Sequence, residues 1–121
     1  PTITNSTGAI NIHPTDATAQ CDLTSAGNAS TAVYVYWGDN DGGTTAGNWD
    51  NSVNLGVQSE GVITALLENL DQQTTYYYRC YASNSEGNDW ADATANFATI
   101  MGSSPIILQK EIILKNGVIL K

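Results

Sequence analysis

The sequence is poor in charged residues, and above all in basic ones. Only 13% of its 121 residues are charged, and four Lys and Arg stand against twelve Asp and Glu, a formal net charge of -8. So few charges exclude a disordered polyelectrolyte. The acidic excess repels phosphate backbones and anionic lipids, so we expect no nucleic-acid partner.

The sequence also lacks a recognisable leader and a membrane-spanning run. It begins at Pro1 without a basic region followed by an apolar one, which predicts a processed product or an excised fragment. The longest apolar stretch, 106–120, is interrupted by polar residues and is too short for a transmembrane helix. With 41% hydrophobic residues, we expect one globular domain and no transmembrane segment.

Short apolar or alternating runs recur between clusters of Gly, Asn, Asp, Ser and Thr. No window repeats apolar residues at the period of a helix, so the pattern predicts an all-β fold. The predicted strands are 2–4, 9–13, 17–24, 32–37, 52–56, 62–68, 76–83 and 91–100. Seven or eight strands at this spacing are typical of a β-sandwich.

Side-chain alternation places both cysteines on inner strand faces. Cys21 shares the apolar side of 17–24, and Cys80 shares the apolar side of 76–83. Trp37 also has inward parity, and the order Cys, Trp, Tyr-x-Cys matches the inter-sheet disulfide of immunoglobulin-type sandwiches. We prefer a Cys21–Cys80 disulfide, which persists in oxidising surroundings, to the alternative of two reduced, buried thiols.

A longer pattern carries a family resemblance. The segment 67–87 contains Leu-x-x-Leu, a short turn, Thr-x-Tyr, a strand with an arginine and Ala-x-Asn-x-x-Gly, and it resembles the E-to-F region of fibronectin type III domains. The runs 36–38, 41–43 and 49–53 further resemble fibronectin-like repeats of large secreted bacterial proteins. The resemblance covers residues 1–100 and implies a fibronectin III or immunoglobulin-like β-sandwich of about seven strands, without defining a function.

The chain departs from that family at two points. Cys21 stands where these domains usually have an aromatic residue, and the domains usually contain no disulfide. Gln72-Gln73 replaces the Pro-Gly of the turn before strand F. The tyrosine corner, a tyrosine whose hydroxyl bonds back to the preceding turn, has two candidates. The fibronectin alignment selects Tyr76, whereas the immunoglobulin spacing selects Tyr78.

Four tyrosines and one arginine have outward parity on two strands that are neighbours in this fold. They are Tyr34, Tyr36, Tyr77, Arg79 and Tyr81. Together they predict an exposed face suited to sugar stacking or to a protein interface. The alternative is ordinary cross-strand pairing on a solvated sheet.

The turn 39–42 is similar to the opening of a calcium-binding loop, with Asp39 and Asp41 as candidate ligands. The EF-hand spacing, however, places Gly43 and Asp50 where a side-chain oxygen and a bidentate glutamate are required. We therefore favour a simple acidic turn and expect no metal and no other cofactor.

The sequence contains no motif for a catalytic site and two short motifs for N-glycosylation. His13 is the sole histidine and has no serine or cysteine partner motif, so we expect a strand-end residue and no enzyme. Asn5 and Asn28 begin triplets that match the N-glycosylation acceptor. Such triplets also occur by chance in chains rich in Asn and Thr.

After residue 100 the composition predicts a linker, 101–105, and an apolar β-strand extension, 106–121, that repeats every six residues. As one extended strand, its even positions form an apolar face interrupted only by Lys110 and Asn116. The apolar members are Ile106, Leu108, Ile112, Leu114, Val118 and Leu120. A hairpin at Asn116-Gly117 is the alternative, but it would mix polar and apolar residues on both faces.

These aliphatic side chains require burial. They would find it against their own sandwich, in a neighbouring subunit by strand addition, or in a further domain. Residues 1–100 hold eleven acids and one base, a formal charge of -10, whereas 101–121 hold three lysines and one glutamate, a charge of +2. A neighbour's acidic surface would therefore attract Lys110, Lys115 and Lys121.

We interpret the chain as a non-enzymatic structural subunit, extracellular or on the cell surface, that self-assembles head-to-tail through its C-terminal strand. A head-to-tail contact that does not close into a ring propagates as a filament, so the expected partner is a second copy. The alternative is an accessory module of a secreted protein that binds a carbohydrate or a protein with the tyrosine face. A passive spacer is a third interpretation.

Deleting residues 105–121 tests the assembly hypothesis. We expect the full chain to form polymers in negative-stain images and by light scattering, and the shortened chain to stay folded and monomeric. A monomeric full chain, together with a shortened chain that unfolds, would show that the tail is a strand of its own sandwich.

Overall fold

The protein folds as two antiparallel β-sheets packed face to face. The computed structural model describes residues 1–102, so the predicted tail 106–121 and most of the predicted linker lie outside the described residues. The strands are β1 (Thr2–Thr4), β2 (Ala17–Ser25), β3 (Thr31–Gly38), β4 (Asn51–Gln58), β5 (Gly61–Leu67), β6 (Thr75–Asn84), β7 (Gly87–Trp90) and β8 (Ala95–Ala98). A short 3-10 turn spans Ala46–Asn48, and no helix within 1–102 is long and apolar enough to cross a membrane.

The two sheets differ in size. One has the order β1-β2-β5, and the other has the order β4-β3-β6-β7, with β8 also paired to β6. Strands β7 and β8 pair with successive halves of the same edge of β6. The predicted all-β sandwich is confirmed.

The core lies between the sheets and follows the predicted alternation. On β2 and β6 the inward side chains are fully or almost fully buried: Ala17, Ala19, Cys21, Leu23, Tyr76, Tyr78, Cys80 and Ala82. Trp37 and Ile63, which were also predicted to face inward, pack against this core but are only partly buried.

The predicted disulfide is present and joins the two sheets. Cys21 of β2 and Cys80 of β6 are bonded, with their Cα atoms 5.9 Å apart and a sequence separation of 59. In the chain-entropy model, closing a loop of this size stabilises the fold by roughly 4 kcal/mol.

One predicted strand is wrong and another is shorter than predicted. The segment 9–13 makes only an isolated bridge, between Ile10 and Thr18, because Asn11 adopts a φ of 50° and interrupts the extended backbone. Of the predicted strand 91–100 only Ala95–Ala98 is a strand, β8. The additional strand β7 precedes it, because the hairpin after β6 closes earlier than expected. Gly87, with a φ of 140°, pairs with Asn84 and begins β7 inside the predicted turn.

Geometry assigns different roles to the two candidate corner tyrosines. The hydroxyl of Tyr76 accepts a hydrogen bond of 2.8 Å from the Asp71 amide across the turn before β6, so Tyr76 is the tyrosine corner. The hydroxyl of Tyr78 crosses to the other sheet and donates to the Gln20 carbonyl at 2.9 Å. In the turn itself, Gln73 takes the left-handed conformation, with a φ of 49°, a conformation that glycine adopts more readily.

The buried Tyr78 hydroxyl predicts a loss of stability at alkaline pH. Burial raises the pKa of Tyr78 from 10.0 to about 12, because the folded protein favours the uncharged phenol. The stabilisation that the uncharged Tyr78 side chain provides is therefore complete below pH 10 and is lost as the pH rises towards 12. We expect the free energy of unfolding to fall by on the order of 2 kcal/mol over this range in denaturant titrations.

The Tyr78→Phe variant is the control, because it has no phenol to ionise at this position. It should be less stable than the wild type near neutral pH, by about 1 kcal/mol for the lost hydrogen bond, and should lose less between pH 10 and 12. Parallel pH profiles for the two proteins would contradict the assignment.

Candidate functional site

Four aromatic side chains meet on the outer face of the larger sheet. The strand register pairs Tyr34 with Tyr81 and Tyr81 with Trp90, so these rings form one row across β3, β6 and β7. Successive ring centroids in the row are 5.9 and 4.7 Å apart. Tyr36 lies beside the row, 6.4 Å from Tyr34, 6.1 Å from Tyr81 and 5.1 Å from Trp90. These four residues are called the aromatic face below.

The structure brings together part of the predicted tyrosine set and adds one residue. Tyr77 lies on the same side of β6 but opposite Gly38 and Asn96, farther along the strand. Trp90 was missed as a member because strand prediction began at residue 91. The signal that could have found it is the outward parity of Asn88 and Trp90 once Gly87 is recognised as the start of a strand.

The rings are packed against one another, yet each stays partly exposed to solvent. Burial raises the pKa of Tyr36 above its ordinary value, and the neighbouring hydroxyls of Tyr81 and Tyr34 raise it further. The Tyr36 phenol is therefore uncharged at neutral pH.

No strand residue on this side of the larger sheet carries a carboxylate. Direct register partners share a side, which places uncharged residues around the rings. These are Ser52, Asn54, Val57, Ser83 and Asn88. None of the eleven acids of residues 1–100 occupies an outward position on β3, β4, β6, β7 or β8.

Arg79, the only base in residues 1–100, stabilises the segment between β7 and β8. Its Nε donates to the Ala91 carbonyl at 2.8 Å, and its Nη1 contacts the Thr94 hydroxyl at 3.4 Å. Thr94 in turn donates to Asp41 at 2.8 Å. The Gly43 amide and the Thr94 hydroxyl hold the pKa of Asp41 below its ordinary value. Arg79 is thus engaged within the protein and leaves the aromatic rings as the larger exposed feature.

The predicted acidic turn is folded around a tryptophan. Trp49 is buried, and its Nε1 donates to the Gly43 carbonyl at 3.1 Å. Its indole lies so close to Gly42 that a Cβ there would come within 2.6 Å of the ring. Asp39 accepts a hydrogen bond from Asn40 at 2.8 Å. Within the part of the chain that the structure describes, no group of three or more metal-binding side chains is assembled, and these contacts support a structural turn.

A cleft of about 350 Å³ lies near this turn and is lined by Asp39, Asp50 and Glu68 together with Trp37 and Tyr76. Asp50 accepts a hydrogen bond from the Asp39 amide at 3.3 Å. The cleft is acidic, in contrast to the aromatic face.

His13 lies before β2, rather than at the end of a strand as predicted. Its Nδ1 is 2.6 Å from Asp16 Oδ1, and both side chains are exposed. Both cysteines are in the disulfide, so neither thiol is available to His13 as a nucleophile.

Asn5, predicted as a glycosylation candidate, forms hydrogen bonds with the backbone of β6 and of the segment that connects β7 to β8. Residues 91–94 leave the ladder, and Asn5 Oδ1 accepts the Cys80 amide at 2.9 Å while its Nδ2 donates to the Ala93 carbonyl at 2.6 Å. A glycan on Nδ2 would compete with the second bond. Asn28 lies exposed in the turn between β2 and β3.

These features define an antiparallel β-sandwich with one inter-sheet disulfide and an exposed aromatic face. No family model and no curated protein matches the chain. Solved structures do: a computer-redesigned β-sandwich protein is 19% identical, with a TM-score of 0.59, and the match covers 85% of this chain and 98% of that one.

The sensor domain of the anti-sigma factor RsgI4 from Pseudobacteroides cellulosolvens is also similar. One of its structures is 18% identical with a TM-score of 0.55, covering 84% of this chain and 91% of that one. Its solution structure is 17% identical with a TM-score of 0.54, covering 87% and 81%. Identities this low establish a shared fold and leave function to the chain's own residues.

The role of Asn5 is tested by the Asn5→Ala variant. It leaves the partly buried Cys80 amide without an acceptor, so we expect a loss of about 1–3 kcal/mol in the free energy of unfolding. Amide exchange at Cys80 should also accelerate. Asn28→Ala, at the exposed candidate, should change stability little, and equal effects of the two substitutions would contradict the role of Asn5.

Proposed function

We propose that this protein is a non-enzymatic, extracellular binding module whose ligand docks on the aromatic face. The observation that carries the proposal is the cluster of Tyr34, Tyr36, Tyr81 and Trp90 on the solvent side of the larger sheet. Contiguous exposed aromatic groups are more typical of binding surfaces than of ordinary surface.

The fold holds these rings in fixed positions. Strands β3 and β6 lie inside the sheet, each paired on both edges, and β6 is bonded to the opposite sheet through Cys80. A ligand would therefore meet a surface that needs little ordering when it binds, which favours affinity.

Several observations support the remaining parts of the proposal. The disulfide is suited to an oxidising, extracellular setting. The strand order and the Tyr76 corner support the finer assignment to a fibronectin III-like sandwich. The sensor-domain name of the RsgI4 neighbours agrees with a binding role by analogy. The exposed His13–Asp16 pair and the oxidised cysteines support a role without catalysis.

Tail-mediated assembly remains a separate hypothesis. It depends on residues 106–121, whereas the aromatic face depends on described side chains.

Paired arrays of glycans and of peptides test the binding role. We expect the wild type to bind a subset of spots that the double variant Tyr34→Ala/Trp90→Ala does not bind. The control is Val62→Ser/Leu66→Ser, which alters two exposed residues on β5 of the other sheet and should bind like the wild type.

Folding of all three proteins is checked by thermal denaturation. If every spot bound by the wild type is bound equally by the folded double variant, the aromatic face is not the binding surface. If the wild type binds neither the glycan array nor the peptide array, the proposed binding function is wrong.

A further inference from the structure

We infer that the ligand of the aromatic face is a neutral polysaccharide chain that crosses the strands along the row Asn54–Tyr34–Tyr81–Trp90. The inference rests on the proposed binding function and adds the chemical class and the direction of the ligand. It follows from the charge, the chemistry and the dimensions of the face.

Charge selects a neutral ligand. The surrounding domain has a formal charge of -10 over residues 1–100, so it repels polyanions. A cationic ligand would find aromatic rings for cation–π contacts but no carboxylate to pair with, because the outward strand positions of the larger sheet carry none. Arg79, the one charged group there, already donates to Ala91 and Thr94.

The chemistry of the face suits a sugar. Pyranose rings present C–H bonds on one side and hydroxyls around their rim, and aromatic rings attract C–H groups through the negative charge of their faces. Around the four rings lie the amides of Asn54 and Asn88 and the hydroxyls of Ser52 and Ser83. Amides and hydroxyls both donate and accept hydrogen bonds, as sugar hydroxyls do, although Asn54 Oδ1 already accepts the Gly56 amide at 2.8 Å.

The size of the face argues against a stable protein partner. A stable protein interface buries about 800 Å² on each side, whereas a whole aromatic side chain offers about 150–250 Å². The four rings are already partly buried against one another, so what they still expose falls well short of that area. Val57 adds one exposed apolar side chain, 69% exposed, beside the row.

The row sets the length and direction of the ligand. It runs from Asn54 on β4 to Trp90 on β7 and therefore crosses four adjacent strands. Strands are spaced by about 4.8 Å, so the row is roughly 14 Å long. That length fits several linked sugar rings and exceeds one monosaccharide.

Native affinity electrophoresis tests this inference, with gels containing hydroxyethyl cellulose, xylan or galactomannan as neutral polymers and polygalacturonate as an acidic one. We expect at least one neutral polymer to retard the wild type and polygalacturonate to have no effect. Tyr34→Ala and Trp90→Ala, tested singly, should each weaken retardation at least about tenfold in dissociation constant, and Leu66→Ser should not. A matching monosaccharide should compete poorly.

Failure of the ligand class is distinguishable from failure of the binding role. If no neutral polymer retards the wild type while array peptides are bound through the aromatic face, the glycan inference is wrong and the binding module stands. Equal retardation of wild type, Tyr34→Ala and Trp90→Ala by a neutral polymer would overturn the inference, since the sugar would then bind elsewhere.

Discussion

The junction of β6 with the opposite sheet at Cys80 is the constraint on which the other features depend. The Cys80 sulfur is bonded to Cys21, its amide donates to Asn5, and its carbonyl accepts from Ala91 at 2.9 Å. One residue therefore connects β2, the amino-terminal segment and the β7–β8 connection. Because side chains alternate along a strand, fixing the inward positions of β6 also fixes its outward neighbours Arg79 and Tyr81, and so the position of the aromatic face.

Alternation is local information, and it explains why much of this arrangement was predictable from the sequence. Parity predicts the buried sides of β2 and β6 and the outward position of Tyr34, Tyr36 and Tyr81. The cysteine pair also needed the order Cys, Trp, Tyr-x-Cys, which is typical of immunoglobulin-type sandwiches. The features that were missed depend on backbone conformation or on distant partners. Trp90 joined the face only because Gly87, with a φ of 140°, starts β7 early, and the role of Asn5 depends on an amide 75 residues away.

The scarcity and uneven distribution of charge link the exclusion of nucleic acid to the choice of ligand. With eleven acids and a single base in residues 1–100, an acid at an outward strand position of the larger sheet would have only Arg79 as a basic neighbour, and Arg79 already donates to Ala91 and Thr94. The acids lie instead at turns or on other surfaces. Asp41 contacts Gly43 and Thr94, and Asp89 accepts the Ile3 amide from the inner side of β7. The uncharged face follows from this segregation.

The four rings of the aromatic face differ in how much each one contributes to the stability of the sheet. Tyr36 and Tyr81 each contact the other three rings, so their removal would open the cluster and weaken cross-strand packing on β3 and β6. Tyr34 and Trp90 are the two end rings of the cluster, and each contacts only two of the other rings. A loss of binding at the ends without a comparable loss of stability would therefore reveal a binding surface, whereas the central pair cannot separate the two effects.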